Sequence, residues 1–197
     1  MSARPERPVV VATRNLHKLD ELREILNPLE LLPLPDLVVL PPEVGETFAE
    51  NAAAKAQAAH RQTGSATLAD DSGIEASSLG GRPGVRSARY AGPSATDAEN
   101  LDLLLAELAG HLDRSVAYVC AIAFVDHDGV EVIREGRCEG TLAERPRGTG
   151  GFGYDPAFLP DEISDGRTMA ELSAAEKHAI SHRGRAAQAI LPLMERP

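Results

Sequence analysis

Tryptophan is absent from this 197-residue chain, and only four Phe and three Tyr supply aromatic rings. A protein that stacks bases along a nucleic-acid strand carries more such platforms. Basic residues are outnumbered, 20 Lys and Arg against 30 Asp and Glu, for a net charge of −10. General DNA or RNA binding draws its affinity from Lys and Arg neutralising phosphates, so nucleic acid is excluded as a partner. A small phosphate-bearing substrate is not excluded, since a few local cations and a divalent ion can hold one. Cysteine is nearly missing as well. Cys120 and Cys138 are the only two, too few for a disulfide framework and without metal-ligand company. Both lie in strand-like stretches and are expected to be buried as small hydrophobes. No apolar run has membrane length, and Met1 to Pro8 is short and polar, with no apolar signal region. The expectation is a cytoplasmic protein with no membrane partner and with residues 1–8 flexible. Hydrophobic residues, at 43%, are plentiful enough for a sizeable core.

The pattern that remains is α/β. Val9-Val10-Val11-Ala12 reads as a buried strand. Asn15 then caps a helix with Leu16, Leu19, Leu22, Ile25 and Leu26 on one face, and Pro28 ends it. Five prolines between residues 28 and 42 predict a loop with one short strand near Leu37 to Leu40. Three Ser/Thr-x-x-Glu capping boxes, at Thr47, Thr96 and Ser173, open further helices. The first is Ala-rich and runs to about His60, with Gly64 just beyond it. The second carries Leu101, Leu104, Leu105 and Leu108, and Gly110 closes it. The third runs to about Ile180. Ala66 to Ala69 is a short strand leading into Asp70-Asp71-Ser72-Gly73. Residues 80–94, rich in Gly, Pro and Arg, form a loop. Val116 to Val125 and Val130 to Cys138 are strands joined by the hairpin turn Asp126-His127-Asp128-Gly129. After the Gly-rich stretch 148–153, Ser181 to Gly184 interrupts before a last helix with Ala187, Ile190, Leu191 and Met194. No repeat and no linker splits the chain.

Four segments carry candidate chemistry. Thr13-Arg14-Asn15-Leu16-His17-Lys18 joins a strand end to a helix N-terminus, where free N–H groups and the positive dipole end suit an anion. It lacks phosphate-loop glycines, so a Walker-type site is unsupported. The acidic set Glu43, Glu46, Glu50, Asp70 and Asp71 contains adjacent aspartates at a strand end, a way to hold Mg²⁺ and steer a water. Strand alternation points Asp70 and Asp71 opposite ways, so one of them faces the site. Glu50 already has a structural task in its capping box, and Lys55 reads equally as a solvated helix lysine. Gly148 to Asp155 lets backbone approach a ligand, with Phe152 available to stack on a base and Asp155 to accept from a ring N–H. In Ser181-His182-Arg183-Gly184, His182 and Arg183 are able to donate to a base carbonyl or simply to cap a helix.

In this order the segments resemble the inosine triphosphate pyrophosphatase family, the dITP/XTP pyrophosphatases. The likeness runs from Val9 to about Leu193. It rests on Thr13 to Lys18, Thr47-Phe48-Ala49-Glu50-Asn51-Ala52 with Lys55, and Ala69-Asp70-Asp71-Ser72-Gly73. It continues through Gly80-Gly81-Arg82-Pro83-Gly84, Ser87-Ala88-Arg89-Tyr90, Gly150 to Pro156, Glu176-Lys177 and Ser181 to Gly184. The resemblance implies a single domain, residues 1–197, with a long mixed sheet flanked by helices and two lobes around a central substrate cleft, as a homodimer. It implies that Thr13, Arg14, Asn15, Leu16, His17, Lys18 and Lys55 hold the triphosphate. Glu43 and Asp71 bind Mg²⁺, Asp71 accepts the proton, and Ser72 lies beside the substrate. Phe152, Gly153, Tyr154, Asp155, Lys177, His182 and Arg183 form the purine pocket. Arg14 departs from the pattern, since many members have Gly there, and its guanidinium is then able to contact phosphate. The implied reaction is hydrolysis of ITP, dITP or XTP to the monophosphate and pyrophosphate. Two rivals stand beside it: a non-catalytic purine-nucleotide sensor, and a two-aspartate phosphatase. The adjacency of Asp70 and Asp71 weighs against the phosphatase, because neighbours on a strand do not share a face.

Overall fold

The computed structural model describes residues 8–194. All but the last of the eight residues expected to be flexible lie outside them. Six strands form one sheet in the order β2-β1-β3-β4-β5-β6. In chain order the strands are β1 (Val9–Val11), β2 (Leu31–Pro33), β3 (Thr67–Ala76), β4 (Ser115–Val125), β5 (Glu131–Leu142) and β6 (Phe158–Pro160). The helices are α1 (Leu16–Ile25), α2 (Phe48–Thr63), α3 (Asp97–Glu107), α4 (Ala174–Ile180) and α5 (His182–Met194). β1 pairs in parallel with β2 and β3, whereas β5 and β6 are antiparallel, so the sheet is mixed. Among the described residues no helix is long and apolar enough to cross a membrane.

The chain divides into two compact units. The first comprises residues up to Asp71, Cys120–Gly136 and Arg183 onward. Its core gathers Val9, Val11, Leu19, Leu22, Leu26, Leu68, Cys120, Ile122 and Ile190, all buried. Each fully buried Leu or Ile there contributes roughly 1.5–3 kcal/mol. The second unit comprises Ser72–Val119 and Arg137–His182. Ile74, Leu104, Leu108, Tyr118, Leu142, Tyr154 and Phe158 are among its buried core residues. Both cysteines are buried and form no disulfide, as their strand context predicted.

The three capping boxes form as the sequence predicts. Thr47, Thr96 and Ser173 each accept from the N–H three residues on, and Glu50, Glu99 and Glu176 reach back. The hairpin turn also forms: Asp126 Oδ1 accepts from the N–H groups of Asp128 and Val130.

Several boundaries differ from expectation, among them β5, which runs on to Leu142 instead of ending at Cys138. The short strand is Leu31–Pro33 rather than 37–40. Leu31 is buried and registers with Val9, whereas Leu37 is 94% exposed. Pro33 is tolerated because β2 is an edge strand. The strand expected over Ala66–Ala69 continues through the aspartates and Gly73 to Ala76. Gly73 serves there not as a breaker but as a close-approach residue. A Cβ on it would strike Ser87 Oγ and come within 2.6 Å of Gly84 O. That same Ser87 hydroxyl accepts from Ile74 N at 2.9 Å, fixing the strand past the aspartates. The 80–94 loop contains a 3₁₀ helix over Gly84–Arg89. The expected interruption at 181–184 shrinks to Ser181, the extended residue between α4 and α5; His182, Arg183 and Gly184 already form the first turn of α5.

Candidate active site

Alternation along β3 sends the two aspartates into different surroundings. Asp70 is 1% exposed. Its Oδ2 accepts from Arg183 Nη2 at 3.0 Å and Nε at 3.2 Å, and pairs with Lys18 Nζ at 3.0 Å. Burial alone would raise its pKa, but the charges of Lys18, Arg183 and Lys55 reverse that and hold the carboxyl well below the ordinary carboxylate range. Arg183, itself 1% exposed, gives its remaining nitrogen Nη1 to Glu21. The buried Cys120 thiol, 4.0 Å from Asp70 Oδ2, is pushed up to about 12 by burial and by that negative charge.

Asp71 is 5% exposed and lies among different partners. Asn51 Nδ2 donates to its Oδ2 at 3.0 Å, and Lys55 Nζ approaches its Oδ1 at 3.4 Å. Lys55 also holds Glu43 Oε1 at 2.7 Å. Asn51 and Lys55 are four apart on α2 and therefore share a helix face. Burial raises the Asp71 pKa; Lys55 opposes this, the charge of Glu43 adds to it, and the net shift is upward. Burial pulls the Lys55 ammonium down, but Asp71, Asp70 and Glu43 outweigh it and the net is upward. Glu50, by contrast, is spent on the N–H groups of Glu46 and Thr47. Of the three glutamates before and in α2, Glu43 is the one joined to Asp71 through Lys55.

The first segment forms a strand-to-helix junction. Thr13 Oγ1 accepts from Asn15 N, and Asn15 Oδ1 accepts from Lys18 N as the cap of α1. Leu16 and His17 are exposed at the start of the helix. The Arg14 guanidinium turns away to the carbonyls of Leu34, Pro35, Asp36 and Val38, at 2.8–3.2 Å. Its side chain is occupied in bracing the Pro-rich loop.

In the second unit the Gly-rich segment centres on Asp155. This carboxylate is 3% exposed. Oδ1 accepts from the Tyr118 hydroxyl at 3.0 Å, and Oδ2 accepts from Phe152 N at 2.9 Å and Lys177 Nζ at 2.7 Å. Lys177 Nζ stands 5.1 Å from the centroid of the Phe152 ring, a cation–π distance. The His182 ring stacks on Tyr118, centroids 4.6 Å apart. Gly153 N donates to Asp97, and the buried Tyr154 hydroxyl donates to Ser87 O. Ser72, half-buried, follows Asp71 on β3.

The structure therefore gathers Lys18, Lys55, Glu43, Asp70, Asp71 and Arg183 in one unit, and Phe152, Asp155, Lys177 and His182 in the other. The Arg183 guanidinium is engaged by Asp70 and Glu21. Asp155 acts on its own loop and on Lys177, rather than offering an open acceptor. Sequence reasoning assigned no role to Asn51, Tyr118, Glu21 or Asp97. Asn51 had a signal in the Thr-Phe-x-x-Asn-Ala stretch; the other three had none.

Residues 9–193 match the Ham1 family. The curated "dITP/XTP pyrophosphatase" of Mycobacterium tuberculosis is 51% identical over 195 residues, covering 94% of each chain. That of Ralstonia nicotianae is 50% identical and covers 96% of both. Among solved structures, a HAM1 protein from Coxiella burnetii matches with a TM-score of 0.84 at 43% identity, covering 95% of this chain and 98% of that one. A nucleoside-triphosphatase, dITP/XTP pyrophosphatase from Mycobacterium abscessus matches with a TM-score of 0.74 at 45% identity, covering 94% and 100%.

Proposed function

This chain belongs to the Ham1 family, and on that premise we propose that it hydrolyses non-standard purine nucleoside triphosphates, ITP, dITP and XTP, to the monophosphate and pyrophosphate. The observation that carries the reading is the group around Asp71: a buried carboxylate with a raised pKa, set beside Lys55 and Glu43. A general base works best when its pKa is lifted toward the working pH, and burial lifts this one.

In this mechanism Asp71 takes the proton of a water that attacks in line at the α-phosphorus. Lys55 and Lys18 hold phosphate oxygens, and the N-terminus of α1 supplies backbone N–H groups and the positive end of its dipole. The backbone of Thr13 to Lys18 serves the phosphates, while the Arg14 side chain keeps its loop in place.

The donor set fits a hard divalent ion such as Mg²⁺. The charge of Glu43 raises the proton affinity of Asp71, and the two share one ammonium, so a cation beside them would be favoured. Among the described residues no group of three or more His, Cys, Asp or Glu is gathered as for a metal. Glu43 and Asp71 would hold the ion, which would offset the charge on the triphosphate.

The residues suited to a purine belong to the second unit. Phe152 offers a ring face, with Gly153 and Tyr154 shaping the turn beside it. Asp155 fixes the Phe152 backbone and aims Lys177, while His182 is held flat against Tyr118. Lys177 donates to a 6-oxo group, which hypoxanthine and xanthine carry and adenine replaces with an amino donor. The enzyme acts in the cytoplasm as a homodimer. A nucleotide panel with Mg²⁺, scored for pyrophosphate and monophosphate, tests the reading. ITP, dITP and XTP are expected to release pyrophosphate far faster than ATP, with no release in EDTA. Binding without turnover would establish the sensor instead, and orthophosphate as product would establish the two-aspartate phosphatase.

A further inference from the structure

Asn51 is 2% exposed, and both ends of its amide are committed. Nδ2 donates to Asp71 Oδ2 at 3.0 Å, and Oδ1 accepts from Gly45 N at 2.8 Å. Gly45 lies two residues after Glu43 on the segment leading into α2. One amide thus ties the Glu43-bearing segment to the carboxylate of Asp71. The other oxygen of Asp71 faces Lys55, so the two oxygens are distinguished by their partners. The fit at Gly45 is tight: a Cβ there would come within 2.8 Å of Asn51 Oδ1 and 2.9 Å of Glu50 Cβ. Asn51 does not sit where helix capping needs it, since Thr47 and Glu50 complete that motif themselves.

The geometry points to Asn51 as a positioning residue for the reaction: it fixes the rotation of the Asp71 carboxylate and keeps the Glu43 segment against it. This rests on the reading of Asp71 as the base. A carboxylate held by one neutral donor keeps its orientation while its second oxygen stays available to a proton or a cation. Removing the donor frees the side-chain torsions, and small angular errors at a base lower turnover without weakening nucleotide binding.

The test compares Asn51→Ala with Asn51→Asp, which keeps the size and the acceptor for Gly45 but loses the donor. The readouts are kcat and KM for ITP with Mg²⁺, together with far-UV circular dichroism and the urea midpoint. Asp71→Asn is measured alongside. The expected result is a kcat lowered tenfold or more in both variants, a KM within threefold of wild type, and a folded protein. A kcat within threefold of wild type in folded Asn51→Ala, or a loss explained wholly by the unfolded fraction, overturns the positioning role. So does failure of both variants to fold, which makes Asn51 structural. If Asp71→Asn itself retains activity within tenfold, the base assignment fails first, and the two failures are told apart.

Discussion

Asp70 and Asp71 are neighbours on β3, carry the same side chain and are buried to similar depth, yet they reach opposite electrostatic states. Asp70 meets Arg183 and Lys18 and is held ionised far into acid. Asp71 meets a neutral amide, one lysine that it shares with Glu43, and the charge of Glu43 itself; its proton affinity rises. The strand pleat separates the two tasks. Asp70 is bound into the frame by cations from the chain's first and last helices, and Asp71 is left with unspent basicity. Burial pushes both carboxyls upward; the cations around Asp70 overturn that push, whereas at Asp71 it prevails.

The sharpest way to break this comparison is Asp71→Asn. Pyrophosphate release from ITP is expected to fall by about 10²–10⁴-fold, the usual worth of a general base. Stability should move the other way. The ordinary aspartate value is 3.8 and the folded value of Asp71 lies above it. Its stabilising contribution is therefore present below that ordinary value and lost as pH rises through the folded one. Charged Asp71 costs stability at neutral pH, so the Asn variant should have a urea midpoint at pH 7 no lower than wild type. That advantage should shrink on acidification. A midpoint well below wild type would give Asp71 a framework role as well.

Asp70→Asn should show the reverse pattern. It takes from buried Arg183 and from Lys18 the carboxylate they share, a loss of roughly 3–5 kcal/mol in urea unfolding. The folded pKa of Asp70 is depressed, so its contribution is present above the ordinary value and lost as pH falls through the folded one. The deficit of Asp70→Asn should accordingly be full at pH 7 and diminish in acid. Equal stability of the two Asn variants would erase the distinction. The smallest effect belongs to Arg14→Met. It removes four carbonyl contacts at a partly exposed site, at a cost of about 1–2 kcal/mol. It should leave kcat/KM for ITP within threefold, since the phosphate-facing backbone is retained.

Much of the fold was legible where the signal is local. Capping boxes, the Asp126–Gly129 turn and the α1 leucine face are set by residues within a few positions of one another, and they form as expected, except that Leu16 at the head of that face is 69% exposed. The short second strand was misplaced because nothing local separates Leu31–Pro33 from Leu37–Leu40; pairing with Val9–Val11 chooses between them. The site divides along the same line. The opposed orientation of Asp70 and Asp71 follows from strand alternation alone. Arg183 as the partner of Asp70 does not, because 113 positions separate them and a cation at a helix junction looks the same whether it meets a base or a carboxylate. Asn51 lay in view within a quoted motif, but its value depends on facing a carboxylate twenty residues away.

The four-residue interval between Asn51 and Lys55 also sets a rule about length as opposed to identity. One face of α2 addresses both oxygens of a single carboxylate, Asn51 one and Lys55 the other. Ala53 and Ala54 lie half-buried between them. Exchange for other good helix formers at those two positions leaves the spacing untouched. A single inserted or deleted residue turns Lys55 by roughly 100° about the helix axis and takes its ammonium off the face altogether. Over this stretch the protein has freedom in its letters and none in their count.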